Sequence, residues 1–188
     1  MSGAGLFEVS AYGAQVEAIL AEAEAGERLM PLVMPQQGIP IPAALRNAEP
    51  KVLFPSARAP EAALAGLLLY FDRSAEAHAI AQDLETPEGS FWHAILHRRE
   101  PDAGNSAYWF RKTGQHPVFP DIARAAQQVI ARNPEVTFTT GNRWNPFSFI
   151  DFCESVRDGS DTRSLRAAQE IQRAEWQILF DFCARAAG

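Results

Sequence analysis

Residues 86–121 read TPEGSFWHAILHRREPDAGNSAYWFRKTGQHPVFPD, and this stretch decides the fold. Thr86, Pro87 and Glu88 together form a strong helix start. The hydroxyl caps free amides of the first turn, proline suits the first helical position, and an acid complements the helix dipole. This helix is predicted to end at about Arg99, because a proline stands two positions later.

Two more helices follow in the same stretch. Asp102 or Asn105 begins the first of them, which runs to Lys112 and is ended by Gly114. Pro120 opens the next helix, with an acid directly behind it. The chain shows no strand–helix–strand rhythm, tandem repeat or low-complexity tract. We therefore predict an all-α or nearly all-α fold.

The rest of the chain continues this helical pattern. A chain of 188 residues most often forms one core, so residues 1–188 are predicted to be a single, irregular multi-helix domain. Apolar residues at helical spacing, capping residues and first-turn prolines mark its other helices. These are predicted over residues 10–26, 60–71, 74–84 and 161–187, and from residue 145 onward.

A proline-rich segment, residues 31–60, interrupts the helices near the N-terminus. It holds seven of the chain's thirteen prolines. Proline lacks an amide donor and biases the preceding residue away from the helix, so the segment is predicted to be extended or looped. It is too apolar for a solvated linker. We expect it to wrap across the core or to lie over a cleft as a lid.

One strand signal stands apart from the helices. In residues 135–140, Val136 and Phe138 alternate with two threonines, which is the period of a half-buried strand. A strand needs a partner, and residues 51–54 are the nearest candidate. The sequence therefore predicts at most a minor strand pair.

Composition and charge exclude several functions. The net charge is −6 and the isoelectric point about 5.2, so no overall field would attract nucleic acid or an anionic membrane. The longest apolar run, residues 62–71, is too short to span a membrane. The N-terminal sequence lacks the basic start and apolar core of a signal peptide, so a cytoplasmic location is expected.

The two cysteines are predicted to be core residues. Cys153 and Cys183 each follow Asp-Phe on the apolar side of a predicted helix, without the spacing of a zinc site. Free cysteine is among the most buried residue types, and a disulfide is not expected in a reducing compartment.

His93 and His97 are the sharpest candidates for chemistry. Four residues apart on a helix, their imidazoles point the same way and suit a shared divalent metal, with an acid/base role as the other option. The zincin motif, however, has glutamate after the first histidine, where alanine stands here. A third ligand is expected from His116, Asp102 or a distant carboxylate. The alternative is two partly buried, hydrogen-bonded histidines, whereas His78 is assigned to the surface or to capping.

Basic and aromatic side chains in the same stretch suit an anionic or aromatic ligand. Arginine forks bind carboxylate or phosphate, and aromatic faces stack against rings. In the structural alternative, the arginines satisfy a helix end, acids pair with bases, and aromatics anchor the core. The candidate ligand-binding residues are Trp92, Arg98, Arg99, Asn105, Tyr108, Trp109, Arg111, Lys112 and His116.

Glu175 is the one distant residue expected to contact this stretch. It falls near the centre of the apolar face of the last predicted helix. An unpaired buried charge costs several kcal/mol, so an arginine from residues 86–119 is the expected counterpart. The pair would be structural, or Glu175 would act as a catalytic carboxylate beside His93 and His97.

The run FWHAILHRREPDAGNSAYWFRKTGQHPVF at residues 91–119, followed by EWQILFDFC at 175–183, resembles a family of uncharacterised bacterial proteins. The resemblance covers roughly the C-terminal two thirds of the chain and leaves the proline-rich segment unmatched. It implies no activity, substrate, cofactor or catalytic residue.

Two hypotheses follow from the sequence. In the first, residues 86–119 build a small-molecule site for an anionic or aromatic ligand. His93 or His97 supplies acid/base or metal chemistry there, and Arg98, Arg99 and Arg111 clamp the anion. In the second, the same residues form a buried polar network or the interface of a homo-oligomer, and the protein is a non-catalytic interaction protein.

Overall fold

The computed structural model describes residues 7–186, and within that range the protein is all-α. Nine α-helices are joined by loops and short 3-10 turns. None of the helices in that range is both long enough and apolar enough to cross a bilayer. The helices are α1 (Ala14–Ala21), α2 (Pro50–Leu53), α3 (Pro60–Tyr70), α4 (Ser74–Asp83), α5 (Pro87–Arg99), α6 (Ala103–Thr113), α7 (Phe119–Arg132), α8 (Pro146–Val156) and α9 (Thr162–Ala184).

The predicted capping residues set the starts of the main helices. The hydroxyl of Thr86 accepts a hydrogen bond from the amide of Gly89 at 3.1 Å and opens α5. The carboxylate of Asp102 accepts from the amide of Asn105 at 3.1 Å and opens α6. Asp161 caps α9 in the same way. Each cap satisfies amides that have no partner inside the helix.

The first and last predicted helices are shorter than expected. The helix predicted over residues 10–26 is divided into a 3-10 turn at Val9–Tyr12, α1, and a second turn at Glu24–Gly26. Gly13, at φ +90°, separates the first two pieces, because that backbone conformation cannot continue a helix. At the other end, α9 stops at Ala184, and residue 187 lies outside the described residues.

The all-α prediction with at most a minor strand pair is confirmed, but the strand predicted at residues 135–140 does not form. Residues 135–140 have no strand partner, and residues 51–54 lie largely in α2. Val136 is buried and Phe138 stacks on Phe152 with ring centroids 4.5 Å apart, so the alternation reflects a loop that inserts two apolar side chains. Between residues 7 and 186, the only bridge of β type joins Ala57 to Ala186.

The proline-rich segment wraps across the core, and it is not extended throughout. It contains α2 and a 3-10 turn at Ala43–Leu45. Leu32, Leu53 and Phe54 are buried, so the segment covers helices rather than a cleft. Its start is held by the amide of Met34, which donates to the carbonyl of the last residue of α5 at 2.6 Å.

Helix α3 lies at the centre of the core and packs against α2, α4, α5 and α9. Gly66 allows α3 to pack closely against α5, because the indole of Trp92 lies where a side chain at this position would begin. Trp176 of α9 donates from its indole Nε1 to the Gly66 carbonyl at 2.7 Å. Both cysteines, Cys153 and Cys183, are free and buried, as predicted.

Gly66→Ala is expected to destabilise the protein, because a Cβ there would lie 2.5 Å from the Trp92 ring. Overpacking of this kind costs about 1–3 kcal/mol, which urea unfolding resolves. The matched control is Gly104→Ala in α6, where the nearest atom to a Cβ is 3.7 Å away. That change is expected to be neutral or to stabilise by up to about 1 kcal/mol. Equal effects of the two substitutions would contradict this account of Gly66.

Candidate functional site

Helix α5 divides its side chains between the core and a polar cluster. Phe91, Trp92 and Ile95 are buried in the hydrophobic core. His93 and His97 lie one helical turn apart on another side, where their rings are stacked with centroids 4.8 Å apart. That side of α5 meets α4 and α6, so both imidazoles are held between helices rather than facing open solvent.

A third histidine, His78 of α4, completes the cluster. Its Nε2 lies 3.0 Å from Nε2 of His93. Its ring stands edge-on to both α5 histidines, with centroids 4.5 Å from His93 and 5.7 Å from His97. One ring nitrogen from each histidine lies within 4.8 Å of the other two. Among the described residues, this is the one group of three histidine, cysteine or acidic side chains so close together.

These distances suit a shared metal ion. Two imidazoles bound to one zinc ion at about 2.0–2.1 Å have their nitrogens about 3.3 Å apart in tetrahedral geometry. The 3.0 Å between His78 and His93 is close to that value. The 4.8 Å span of the whole group is wider, so a bound ion requires a small rotation that brings the His97 ring inward. His97 is only partly buried.

Burial favours the neutral, metal-binding form of these imidazoles. His93 is 3% exposed, and its burial, together with His78, His97 and Lys112 nearby, lowers its pKa to about 4. Burial also lowers the pKa of His97, although Glu100 opposes the change. His93 Nδ1 is buried without a hydrogen-bond partner among the described residues. Neutral imidazole has the lone pair that a metal needs, whereas imidazolium has none.

Helix α6 contacts His93 through the side chain of Trp109. The indole of Trp109 stacks on the His93 ring with centroids 3.9 Å apart and planes 17° apart. Lys112 Nζ lies 4.5 Å from the centroid of the Trp109 ring, and Tyr108 is half exposed beside it. The stacking holds the His93 ring in a fixed orientation against α6.

The cluster adjoins an open depression of about 470 Å³. It is lined by His78, Ser74 and Gln82 from α4 and by Glu100, which follows the last turn of α5. Glu100 Oε2 also lies 3.2 Å from Nδ1 of His97. A small polar molecule in this depression would therefore lie beside His78.

Arg98 and Glu175 form a buried pair away from the histidines. Arg98 Nη2 donates to Glu175 Oε2 at 2.5 Å, and both side chains are almost completely buried. The guanidinium also lies over the ring of Phe149, 4.6 Å from its centroid. Burial raises the pKa of Glu175, and Arg98 opposes that rise. The expected contact is present, but Glu175 does not lie beside His93 and His97 as a catalytic carboxylate would.

Arg99 belongs to a second buried network. Its Nη2 donates to Asp72 Oδ1 at 2.5 Å, and its Nη1 donates to the carbonyl of Leu69 at 3.1 Å. Its Nε donates to the carbonyl of Pro31 at 3.0 Å. Arg28 holds the other carboxylate oxygen of Asp72 at 3.0 Å. Arg99 therefore joins α5 to α3 and to the proline-rich segment, and it is too deeply buried to clamp a ligand.

The remaining predicted site residues are spread over the molecule. Trp92 is buried against Gly66 in the core. His116 lies 3.6 Å from Glu88 at the other end of α5, and Arg111 lies over the ring of Phe147 at the start of α8. Asn105 bonds to Asp102, which caps α6. His116 and Asp102 are thus not the third ligand, and a single site uniting histidines, arginines and tryptophans is not what the structure forms.

A larger concavity, of about 670 Å³, lies between the end of α6 and the start of α8. Aromatic and amide side chains line it, including Phe110, Gln115, Trp144 and Phe147. None of the predicted site residues lines it, and Arg143 is its one charged side chain. It has the shape of a binding cavity but lacks the cluster of titratable groups that would carry a reaction.

Sequence reasoning missed His78 because its helix gives no chemical signal. It stands alone on α4, fifteen positions before His93, and this spacing matches no ligand motif. The available signal was positional. α4 and α5 are joined by a short connection, so they pack side by side and bring one face of α4 against α5.

Arg98→Met is expected to destabilise the protein by about 3–5 kcal/mol, because it leaves the Glu175 carboxylate buried and unpaired. The double variant Arg98→Met with Glu175→Leu is expected to recover most of that loss in urea unfolding. The control is Arg124→Met, which removes an exposed pair with Asp121 and should cost less than about 1 kcal/mol. A double variant no more stable than Arg98→Met would contradict a purely structural role.

Comparisons with known proteins supply no relative. No protein-family model matches the chain, and neither the curated proteins nor the solved structures searched give a match. These comparisons do not test the expected resemblance of residues 91–119 to a bacterial family, and the geometry of the histidine cluster is what bears on function.

Proposed function

We propose that the protein binds one divalent transition-metal ion through His78, His93 and His97. The bound ion would act on a small polar substrate. The observation that carries this proposal is the convergence of three imidazoles, one ring nitrogen from each within 4.8 Å of the others. In the structural alternative, His78 and His93 simply share a hydrogen bond. His97 then pairs with Glu100, and the convergence of the three ring nitrogens has no function.

The donor set favours transition metals over magnesium or calcium. Imidazole nitrogen suits zinc, copper, nickel and iron, whereas the hard cations prefer carboxylate and carbonyl oxygen. The low pKa of His93 supports the same conclusion, because this ligand needs no deprotonation near neutral pH.

Three protein ligands leave a coordination position for water or substrate. Structural zinc sites are closed by four protein ligands, whereas catalytic sites keep one position open. The depression lined by Ser74, His78, Gln82 and Glu100 includes one of the three histidines, and this supports an open position directed toward it. A metal-bound water there would be a nucleophile at neutral pH, so hydrolysis of a small polar substrate is the reaction class that we favour.

The nature of the ligand differs from the sequence hypothesis in one respect. Arg98 and Arg99 are committed to buried carboxylates, so they would not clamp an anion. Any preference for an anionic ligand would come from the metal ion itself and from Lys112 behind Trp109. An aromatic ligand would find no tryptophan, tyrosine or phenylalanine among the described residues that line this depression.

The cellular compartment and the partners of the protein are also part of the proposal. Two free, buried cysteines suit a reducing compartment such as the cytoplasm. The acidic charge does not favour nucleic acid as a partner. The competing outcomes are a homo-oligomer and a non-catalytic interaction protein. The metal-binding experiment separates the non-catalytic interaction protein from the metal-dependent protein that we propose.

The purified full chain, stripped with chelator, is expected to bind one equivalent of Zn²⁺ or Co²⁺ in a calorimetric titration. His78→Ala and His97→Ala should each abolish this stoichiometric binding, because each removes a ligand. The matched control is His116→Gln, which removes the one histidine outside the cluster and should retain full binding. Apo-protein melting curves check that every variant is folded.

The proposal fails if the wild type takes up no metal. It also fails if His78→Ala and His116→Gln bind as much metal as the wild type, because the cluster would then not be the site. Loss of binding in all three variants to the same extent would point to a general effect on folding instead.

A further inference from the structure

Among residues 7–186, Glu100 is the one carboxylate that forms an ion-pair contact with the histidine cluster. It follows His97 by three positions at the end of α5, and its Oε2 lies 3.2 Å from His97 Nδ1. Its side chain is 38% exposed and lines the depression beside His78. His97 Nδ1 has no hydrogen-bond partner among the described residues in this geometry, so Glu100 must rotate before it accepts from Nδ1.

The contact determines which nitrogen of His97 can bind a metal. A neutral imidazole has a proton on one nitrogen and a lone pair on the other. A carboxylate beside Nδ1 holds the proton there, because an ionised carboxylate can only accept. The lone pair is then on Nε2, which points away from Glu100. Metal-binding histidines commonly have such a partner, which fixes their tautomer and the orientation of the ring.

The neighbouring acid Asp102 does not hold His97 in the same way. Asp102 is near in sequence, but its two oxygens accept from the amide and the side chain of Asn105 at 3.1 and 2.7 Å. His93 is held differently, by stacking on Trp109. His97 is also the ring that must rotate to close the cluster, so it is the ligand whose orientation most needs a partner.

We propose that Glu100 is the positioning residue of the metal site. It fixes His97 in the Nδ1–H tautomer with Nε2 as the ligand atom, and its negative charge favours a bound cation. This inference rests on the proposed metal function. It also gives the site a carboxylate partner, which the sequence pattern lacks because alanine follows His93.

The test compares Glu100→Ala with Glu100→Gln in the full chain, using Zn²⁺ in competition with a chromophoric chelator. Glu100→Ala is expected to weaken Zn²⁺ binding about 10- to 100-fold, the usual cost of removing such a partner. Glu100→Gln should recover most of that loss, because the amide oxygen still accepts from Nδ1. The matched control is Glu85→Ala, another exposed carboxylate without a partner among the described residues, which should bind Zn²⁺ like the wild type.

A second readout needs no metal at all. Nitrogen-15 chemical shifts of the His97 ring in the apo protein should report the Nδ1–H tautomer in the wild type and a mixture in Glu100→Ala. Unchanged shifts together with unchanged Zn²⁺ affinity would overturn the assignment of Glu100. A Gln variant as weak as the Ala variant would overturn it too, because the carboxylate would then be a direct ligand. If the wild type binds no Zn²⁺, the proposed function fails, and the apo shifts still decide the role of Glu100.

Discussion

Two adjacent arginines near the C-terminal end of α5 constrain the rest of the structure. Arg98 and Arg99 are both buried, and a buried charge without a partner costs several kcal/mol. Their partners, Glu175 and Asp72, come from α9 and from the residue that follows α3 by two positions. The two pairs therefore fix α5 against both helices, and the rotation of α5 about its own axis has little freedom left.

The same constraint orients the chemistry. With Arg98 directed to α9 and Arg99 to the end of α3, the remaining side of α5 faces α4 and α6. His93 and His97 lie on that side, where α4 supplies His78 and α6 supplies Trp109. Residues that are close in sequence thus lie on different sides of α5. The arginines stabilise the core, and the histidines form the candidate site.

Local signals explain why the helices could be predicted. Thr86, Asp102 and Asp161 cap α5, α6 and α9, and these caps depend only on residues within a turn. The partner of Glu175 was also predictable, because a carboxylate at the centre of an apolar face needs a base. The predicted strand failed because Val136 and Phe138 pack into the core from a loop, a tertiary effect that imitates strand alternation.

The composition of the site could not be predicted, because it depends on how helices are rotated against one another. A periodic pattern shows that His93 and His97 share a face, but not which neighbour that face meets. His78 became a candidate only once α4 was seen beside α5. The arginines were misassigned for the same reason, since residues next to each other on a helix point in directions about 100° apart.

The most direct test of the central claim is the X-ray absorption spectrum of the zinc-loaded protein at the zinc edge. We predict a first shell of three imidazole nitrogens at about 2.0–2.1 Å with one oxygen, and the outer-shell scattering that imidazole rings produce. A shell of oxygen alone, or sulfur at about 2.3 Å, would contradict a site built from His78, His93 and His97.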